Sequence, residues 1–282
     1  MIEFVNVSKQ YRGGSWWGKK KTIQAVNQVS LQIKEGTCFA LVGESGSGKS
    51  TLGKLLIGLE KPDEGHILFQ GIDLHEAGPE QRQRLRRDMQ IVFQDPYSAV
   101  NPRMKIKDVI AEPMRVHFQC SAAEMKEKVN RLLEAVGLGE DAGDKYAHQF
   151  SGGQLQRVTI ARAISIRPKA IILDEVINSL DVLVQISIMK LLKKLQRDLN
   201  LTYLFICHDL HAVKLFADEV AVLEKGAVVD YTDDARSLDQ LTHPASRRLI
   251  AAELPIVTPS KVVHERTEVE EPYAVMEGMY VS

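Results

Sequence analysis

Gly43-Glu44-Ser45-Gly46-Ser47-Gly48-Lys49-Ser50 fills every position of the pattern G-x-x-x-x-G-K-[ST], and its flanks decide the fold. Upstream, Thr37-Cys38-Phe39-Ala40-Leu41-Val42 is a short apolar run with the character of a buried strand. Downstream, Thr51-Leu52-Gly53-Lys54-Leu55-Leu56-Ile57 has helical spacing. Strand, glycine loop and helix together form a cradle for phosphate. The glycines let successive backbone N–H groups turn inward as an anion nest, and the helix start adds its positive end. In such a cradle Lys49 reaches the β- and γ-phosphates and the Ser50 hydroxyl sits on Mg²⁺.

The rest of the chain alternates in the same way. Ile2 to Val7 and Val29 to Ile33 read as strands of a β-rich N-terminal segment. Between them lies Gly13-Gly14-Ser15-Trp16-Trp17-Gly18-Lys19-Lys20-Lys21, a glycine-punctuated loop, exposed or turned to a membrane component. His66 to Gln70 and Met89 to Phe93 are further strands, separated by a basic helix near residues 79–88 whose arginines form a solvated face. From about 100 to 165 the pattern is helical, clearest over Ala122–Val136 and Gly153–Ile166. Strands return at Ala170–Leu173, Thr202–Ile206 and Glu219–Leu223, with a helix over Gln185–Leu199. This predicts an α/β fold with a mostly parallel core sheet, an antiparallel N-terminal β-subdomain and a helical subdomain inserted at about 97–165. Residues 1–253 form the domain. Residues 254–282, acidic and without periodicity, read as a poorly ordered tail.

Composition excludes several classes. Hydrophobic residues make up 44% and charged residues 26% of 282, and the net charge is -1, so neither nucleic acid nor an anionic membrane is the expected main partner. No apolar run is long enough to span a bilayer, and Met1-Ile2-Glu3-Phe4-Val5 is not a secretory signal. Three separated cysteines, Cys38, Cys120 and Cys207, suggest reduced thiols in a cytoplasmic protein.

Ala170-Ile171-Ile172-Leu173-Asp174-Glu175 supplies what a nucleotide-hydrolysing site needs beside a phosphate loop. A buried strand delivers two acids at its C-terminal end, where α/β sheets place their ligands. Asp174 suits Mg²⁺, and Glu175 suits a general base acting on water. Phe150-Ser151-Gly152-Gly153-Gln154 is a second anion site, a serine and glycine N–H groups opening a helix.

Taken together, these three motifs resemble the ATP-binding cassette (ABC) ATPase family over about residues 2–253, with Phe150 in place of the family's commoner leucine. The resemblance implies ATP and Mg²⁺ as cofactors. ATP would be held by Gly43, Glu44, Ser45, Gly46, Ser47, Gly48, Lys49, Ser50 and Thr51, with Tyr11 stacked on adenine. It implies that Ser151, Gly152, Gly153 and Gln154 bind the γ-phosphate of ATP held by a second subunit, and that Asp181 communicates across that pair. Gln94 matches the glutamine that touches Mg²⁺ and water and senses the membrane partner. His208 matches the histidine on the γ-phosphate. Val176-Ile177-Asn178 departs from the family's usual small or proline-containing sequence, while the acids before it are intact.

Without membrane spans, a second cassette or a coiled-coil insert, the chain is similar to separate importer subunits. Gln94-Asp95-Pro96-Tyr97-Ser98-Ala99-Val100-Asn101-Pro102-Arg103 and His243-Pro244-Ala245-Ser246-Arg247-Arg248-Leu249 resemble the peptide and nickel importer branch, and Asp181–Gln185 and Leu191–Gln196 its nickel members. The implied partners are a second ATPase subunit, two permeases and, indirectly, a solute-binding protein, at the cytoplasmic face of the inner membrane. With no cysteine after Cys207, a C-terminal iron–sulfur site is not expected. A P-loop phosphotransferase is the rival from another class, and it leaves Ser151–Gln154 without a task.

Overall fold

The computed structural model describes residues 1–13 and 21–252. The Trp16-Trp17 loop and the acidic tail lie outside the described residues.

Two sheets carry the fold. Strands β1 (Ile2–Gly13), β2 (Lys21–Ile33), β4 (Glu64–Phe69) and β5 (Ile72–Asp73) form an antiparallel sheet in the order β2-β1-β4-β5. The larger sheet also contains β3 (Cys38–Val42), β6 (Met89–Val92), β7 (Ala170–Asp174), β8 (Thr202–Ile206), β9 (Glu219–Glu224) and β10 (Ala227–Thr232). Its order is β10-β9-β3-β8-β7-β6, parallel throughout except for β10.

The apolar runs bury both faces of this sheet. Along β3, Cys38, Ala40 and Val42 join one core, whereas Phe39 and Leu41 join the other. Along β8, Tyr203 and Phe205 alternate with Leu204 and Ile206 in the same way, and Ile171 and Leu173 with Ala170 and Ile172 along β7. A strand covered on both sides needs apolar residues at every position, which is why these segments read as continuous runs. The first two strands are longer than the alternation around Val7 and Val29 predicts. Their outer ends pair with one another away from the core, where polar residues suffice.

Helix α1 (Lys49–Leu56) follows β3, and α2 (Pro79–Asp88) precedes β6. The helical stretch holds α3 (Ile106–His117), α4 (Ala122–Ala135) and α5 (Gly152–Ile164) between β6 and β7. Ile106, Ile110, Met114, Leu132, Leu155 and Val158 of these helices share one continuous core with β3, β7 and β8. Helix α6 (Val182–Leu199) starts three residues earlier than its apolar spacing suggests, because Asp181 caps it, Oδ1 accepting from the Val184 N–H at 3.0 Å. The chain continues through α7 (Leu210–Phe216) to α8 (Pro244–Ala252). Among the described residues no helix is long and apolar enough to cross a membrane.

Arg157 ties the helices to the core. It lies on α5, donates from Nη1 to the Val136 carbonyl at the end of α4, and from Nη2 to Ser187 Oγ on α6 at 2.8 Å. Its half-buried guanidinium thus joins three helices. Arg157→Ala removes both charge-assisted bonds, and the expected cost is about 2 kcal/mol in urea unfolding. An unchanged midpoint would show that α4, α5 and α6 are fixed by apolar packing alone.

Candidate nucleotide site

The parallel register brings four strand ends together. Cα partners run Leu41↔Ile206 between β3 and β8, Asp174↔Ile206 between β7 and β8, and Val92↔Leu173 between β6 and β7. The phosphate loop, the two acids, Gln94 and His208 therefore all leave the sheet at one edge.

Gly43 and Gly48 are required by space. A Cβ on Gly43 would lie 2.2 Å from the Leu223 carbonyl oxygen, and one on Gly48 would lie 2.2 Å from that of Ala25. Both have positive φ, 153° and 109°. The loop is also held from outside, the Gly226 N–H donating to the Ser47 carbonyl at 2.9 Å. Glu44, Ser45 and Gly46 are exposed at its tip. Lys49 is buried and folds back on the loop, donating from Nζ to the carbonyls of Gly43 at 2.8 Å and Glu44 at 2.9 Å. Burial pulls its ammonium pKa down, while the charges of Glu175 and Asp174 push it up.

Ser50 Oγ donates to Asp174 Oδ1 at 3.3 Å, so the helix after the loop touches the strand acid. Burial, with Glu175 alongside, raises the Asp174 pKa against the opposing pull of Ser50 and Lys49. A hydroxyl and a carboxylate are hard oxygen donors, the chemistry that Mg²⁺ prefers. Glu175 is half-buried and adopts φ 53°, its N–H donating to the Ile206 carbonyl at 3.0 Å. A non-glycine residue in this region costs backbone energy and persists where the surroundings enforce it. Here they do: Val176 and Ile177, the departure from the family pattern, are buried at 1% and 0% exposure and anchor the turn in the core.

Tyr11 is at the surface of β1, 36% exposed, not in the core. Its hydroxyl donates to Glu60 Oε2 at 2.5 Å and also meets the side chain of Thr51 on α1, so the ring stands beside the phosphate-loop helix. His208 is exposed just beyond β8, with Nδ1 3.0 Å from Asn178 Nδ2.

Ser151–Gln154 lies elsewhere, at the head of α5 in the helical insert. Ser151 Oγ accepts from the Gln154 N–H at 3.3 Å and Gln154 Oε1 from the Ser151 N–H at 3.0 Å, a reciprocal cap, and both residues are exposed. Sequence reasoning did not find two features around it. The stretch around Gln94 is fastened to α5 and its approach: Gln156 Nε2 donates to the Phe93 carbonyl at 3.4 Å, Tyr97 Oη to that of Phe150 at 2.9 Å, and Arg162 Nη1 to that of Ala99 at 2.8 Å. The alternation of glutamine, tyrosine and arginine carries no signal of these partners. Separately, the His243–Leu249 stretch proves to be a brace on the phosphate loop. Ser246 Oγ donates to Asp230 Oδ2 at 2.8 Å, and Arg248 meets Glu224 at 2.5 Å and Glu44 at 3.6 Å.

Gly153 sits where α5 crosses the start of α6; a Cβ there would approach Val184 Cγ1 to 2.4 Å. Valine is stiff at χ1 in a helix, so the crossing has to open. Gly153→Ala should therefore cost about 1–3 kcal/mol of unfolding free energy. Adding Val184→Ala should recover most of that loss in a double-mutant cycle. Simple additivity of the two would show that the crossing is not tight.

Residues 26–178 match the model of the ABC transporter family. The nickel import ATP-binding protein NikE of Escherichia coli is 43% identical over 230 residues, 82% of this chain and 86% of that protein. The oligopeptide transport ATP-binding protein AppF of Bacillus subtilis is 40% identical over 255 residues, 89% of this chain and 78% of that one. Among solved structures, the dimeric ATP-binding cassette MJ0796 in a post-hydrolysis state with ADP and phosphate has a TM-score of 0.73 at 30% identity, covering 83% of this chain and 98% of its own. A phosphate loop facing strand acids at one sheet edge, in a chain this close to transport ATPases, leaves one family: the chain belongs to the ABC transporters, among their ATP-binding subunits.

Proposed function

We propose that this chain binds Mg·ATP at the sheet edge and hydrolyses it to ADP and phosphate in order to drive an importer for nickel, a metal chelate or short peptides. The observation that carries the reading is the meeting of Ser50 with Asp174 at 3.3 Å, which joins the phosphate loop to the strand acids. The loop N–H groups and Lys49 hold the phosphate oxygens, and the ammonium exchanges loop carbonyls for stronger charged partners. Ser50, Asp174 and Gln94 would hold Mg²⁺, which supplies charge neutralisation on the phosphates when bound. Glu175 takes the proton of the attacking water, and His208 donates to the terminal phosphate.

The exposed head of α5 supports pairing. Ser151 and Gln154 open a helix whose positive end suits an anion, yet they sit on the insert, on a different element from the phosphate loop. A second cassette, the same chain or a related one, completes both sites. The three bonds that tie the Gln94 stretch to α5 and to Phe150 just before it would make the loop beside the acids move with the insert. That is the route by which hydrolysis reaches two permease subunits, with a solute-binding protein acting on their far side. The chain would work on the cytoplasmic face of the inner membrane, with residues 1–253 as the cassette and about 97–165 as its helical subdomain. The names of the relatives, one for nickel and one for oligopeptides, bracket the cargo. The resemblance of Asp181–Gln196 inclines it to nickel.

Glu175→Gln tests the reading. Turnover should fall by roughly 10²–10⁴-fold while ATP still binds, and ATP-dependent pairing with the second cassette should persist in size-exclusion chromatography. Parental turnover in this variant would remove Glu175 from the chemistry. Calorimetry of the cognate solute-binding protein with nickel, its chelates and short peptides decides the cargo.

A further inference from the structure

Asn178 enters the sequence only as a departure from the family pattern, and its contact gives it a specific task. The chain leaves β7 at Asp174 and turns at Glu175, where the Asn178 N–H donates to the Glu175 carbonyl at 3.2 Å. Val176 and Ile177 between them are locked in the core. The backbone of Asn178 is thereby fixed beside the end of the neighbouring strand β8. Its side chain spans to His208, with Nδ2 3.0 Å from Nδ1 of the ring. A smaller side chain at this position could not bridge the gap.

With the amide nitrogen turned to the ring, Asn178 offers a hydrogen and Nδ1 of His208 is the acceptor. The neutral ring then carries its proton on Nε2. We propose that Asn178 is a positioning residue that holds His208 as the Nε2–H tautomer, the form able to donate to the terminal phosphate of ATP. The inference rests on the ATPase reading of the site. It adds that one turn sets both the backbone of the general base, Glu175, and the proton of the histidine.

The test uses the full chain with ¹⁵N-labelled histidine, the His208 ring being assigned by its loss in His208→Gln. Long-range ¹H–¹⁵N NMR should show the Nε2–H form. Asn178→Asp keeps the shape but replaces the donor with an acceptor, and should move the proton to Nδ1. Asn178→Ala should give a mixture, and the dispersion of each spectrum reports folding. With Mg·ATP and the second cassette present, kcat of Asn178→Asp should drop about 10- to 100-fold, the worth of one hydrogen bond to a charged group, with KM for ATP little changed. An Nδ1–H ring in the parent, or an unmoved tautomer in Asn178→Asp, overturns the proposal. So does a moved tautomer with parental kcat. The NMR readout needs no turnover, so a parent chain that fails to hydrolyse ATP would sink the ATPase reading while the tautomer result stood.

Discussion

The parallel pairing of β3, β8, β7 and β6 governs everything functional in this molecule, because it fixes where four separate segments of chain end. The central strands β3, β8 and β7 are apolar over most of their length and buried on both faces, so a slip of one residue would exchange the two cores along them. With slipping excluded, the Leu41↔Ile206 and Asp174↔Ile206 partnerships hold the phosphate loop, Asp174, Glu175 and His208 at one level. Functional side chains that are more than a hundred residues apart in sequence meet because hydrophobic strands beneath them cannot move. The site is a consequence of core packing, and its precision is that of the register.

That rigidity contrasts with how the helical insert is attached. Its apolar residues run into the same core as the sheet, so it is not a loosely hung module. Its polar attachments are few and directed: Arg157 toward α4 and α6, and Gln156, Tyr97 and Arg162 holding the stretch around Gln94. Packing joins the insert to the sheet, while these hydrogen bonds decide which parts of it are tied to the Gln94 stretch. A displacement of α5 would carry the Gln94 stretch with it and alter the edge where the acids lie.

Much of this was legible beforehand, and the limits have physical causes. Strands buried on both faces and the loop between Gly43 and Ser50 declare themselves through residue type alone, because burial and positive φ each admit few side chains. The α5 cap at Ser151 is equally local, and so is legible. Tyr11 could have been core or surface on sequence grounds; its place was decided by pairing at the outer end of β1, which depends on β2 far along the chain. The same holds for Gly153, where the constraint comes from Val184 on another helix, and for Arg248, whose partners Glu44 and Glu224 belong to other strands' ends. Contacts between polar side chains at long sequence separation leave no periodicity to read. Asn178 is the sharpest instance, since its residue type looked like a defect in a motif until its partner was known.

The charged groups at the sheet edge are held in a state that favours a ligand. Lys49 is buried against carbonyl dipoles, with burial pulling its pKa down, and Asp174 is driven the other way by burial and by Glu175. Glu175 itself occupies a backbone region that few residues tolerate. A polyphosphate would give Lys49 full negative charge in place of dipoles, and a cation would give Asp174 a partner. Both changes would offset the desolvation that burial imposes on these two groups. Binding energy is thus available at the loop and the acids together, and the contact between Ser50 and Asp174 makes it one site. The exposed cap at Ser151 lacks such a penalty, since water already solvates it, so in the proposed role its hold on phosphate would have to come from a surface that closes over it. On the proposed reading, nucleotide binds first at the buried half, where Lys49 and Asp174 lie, and the second cassette is recruited afterward.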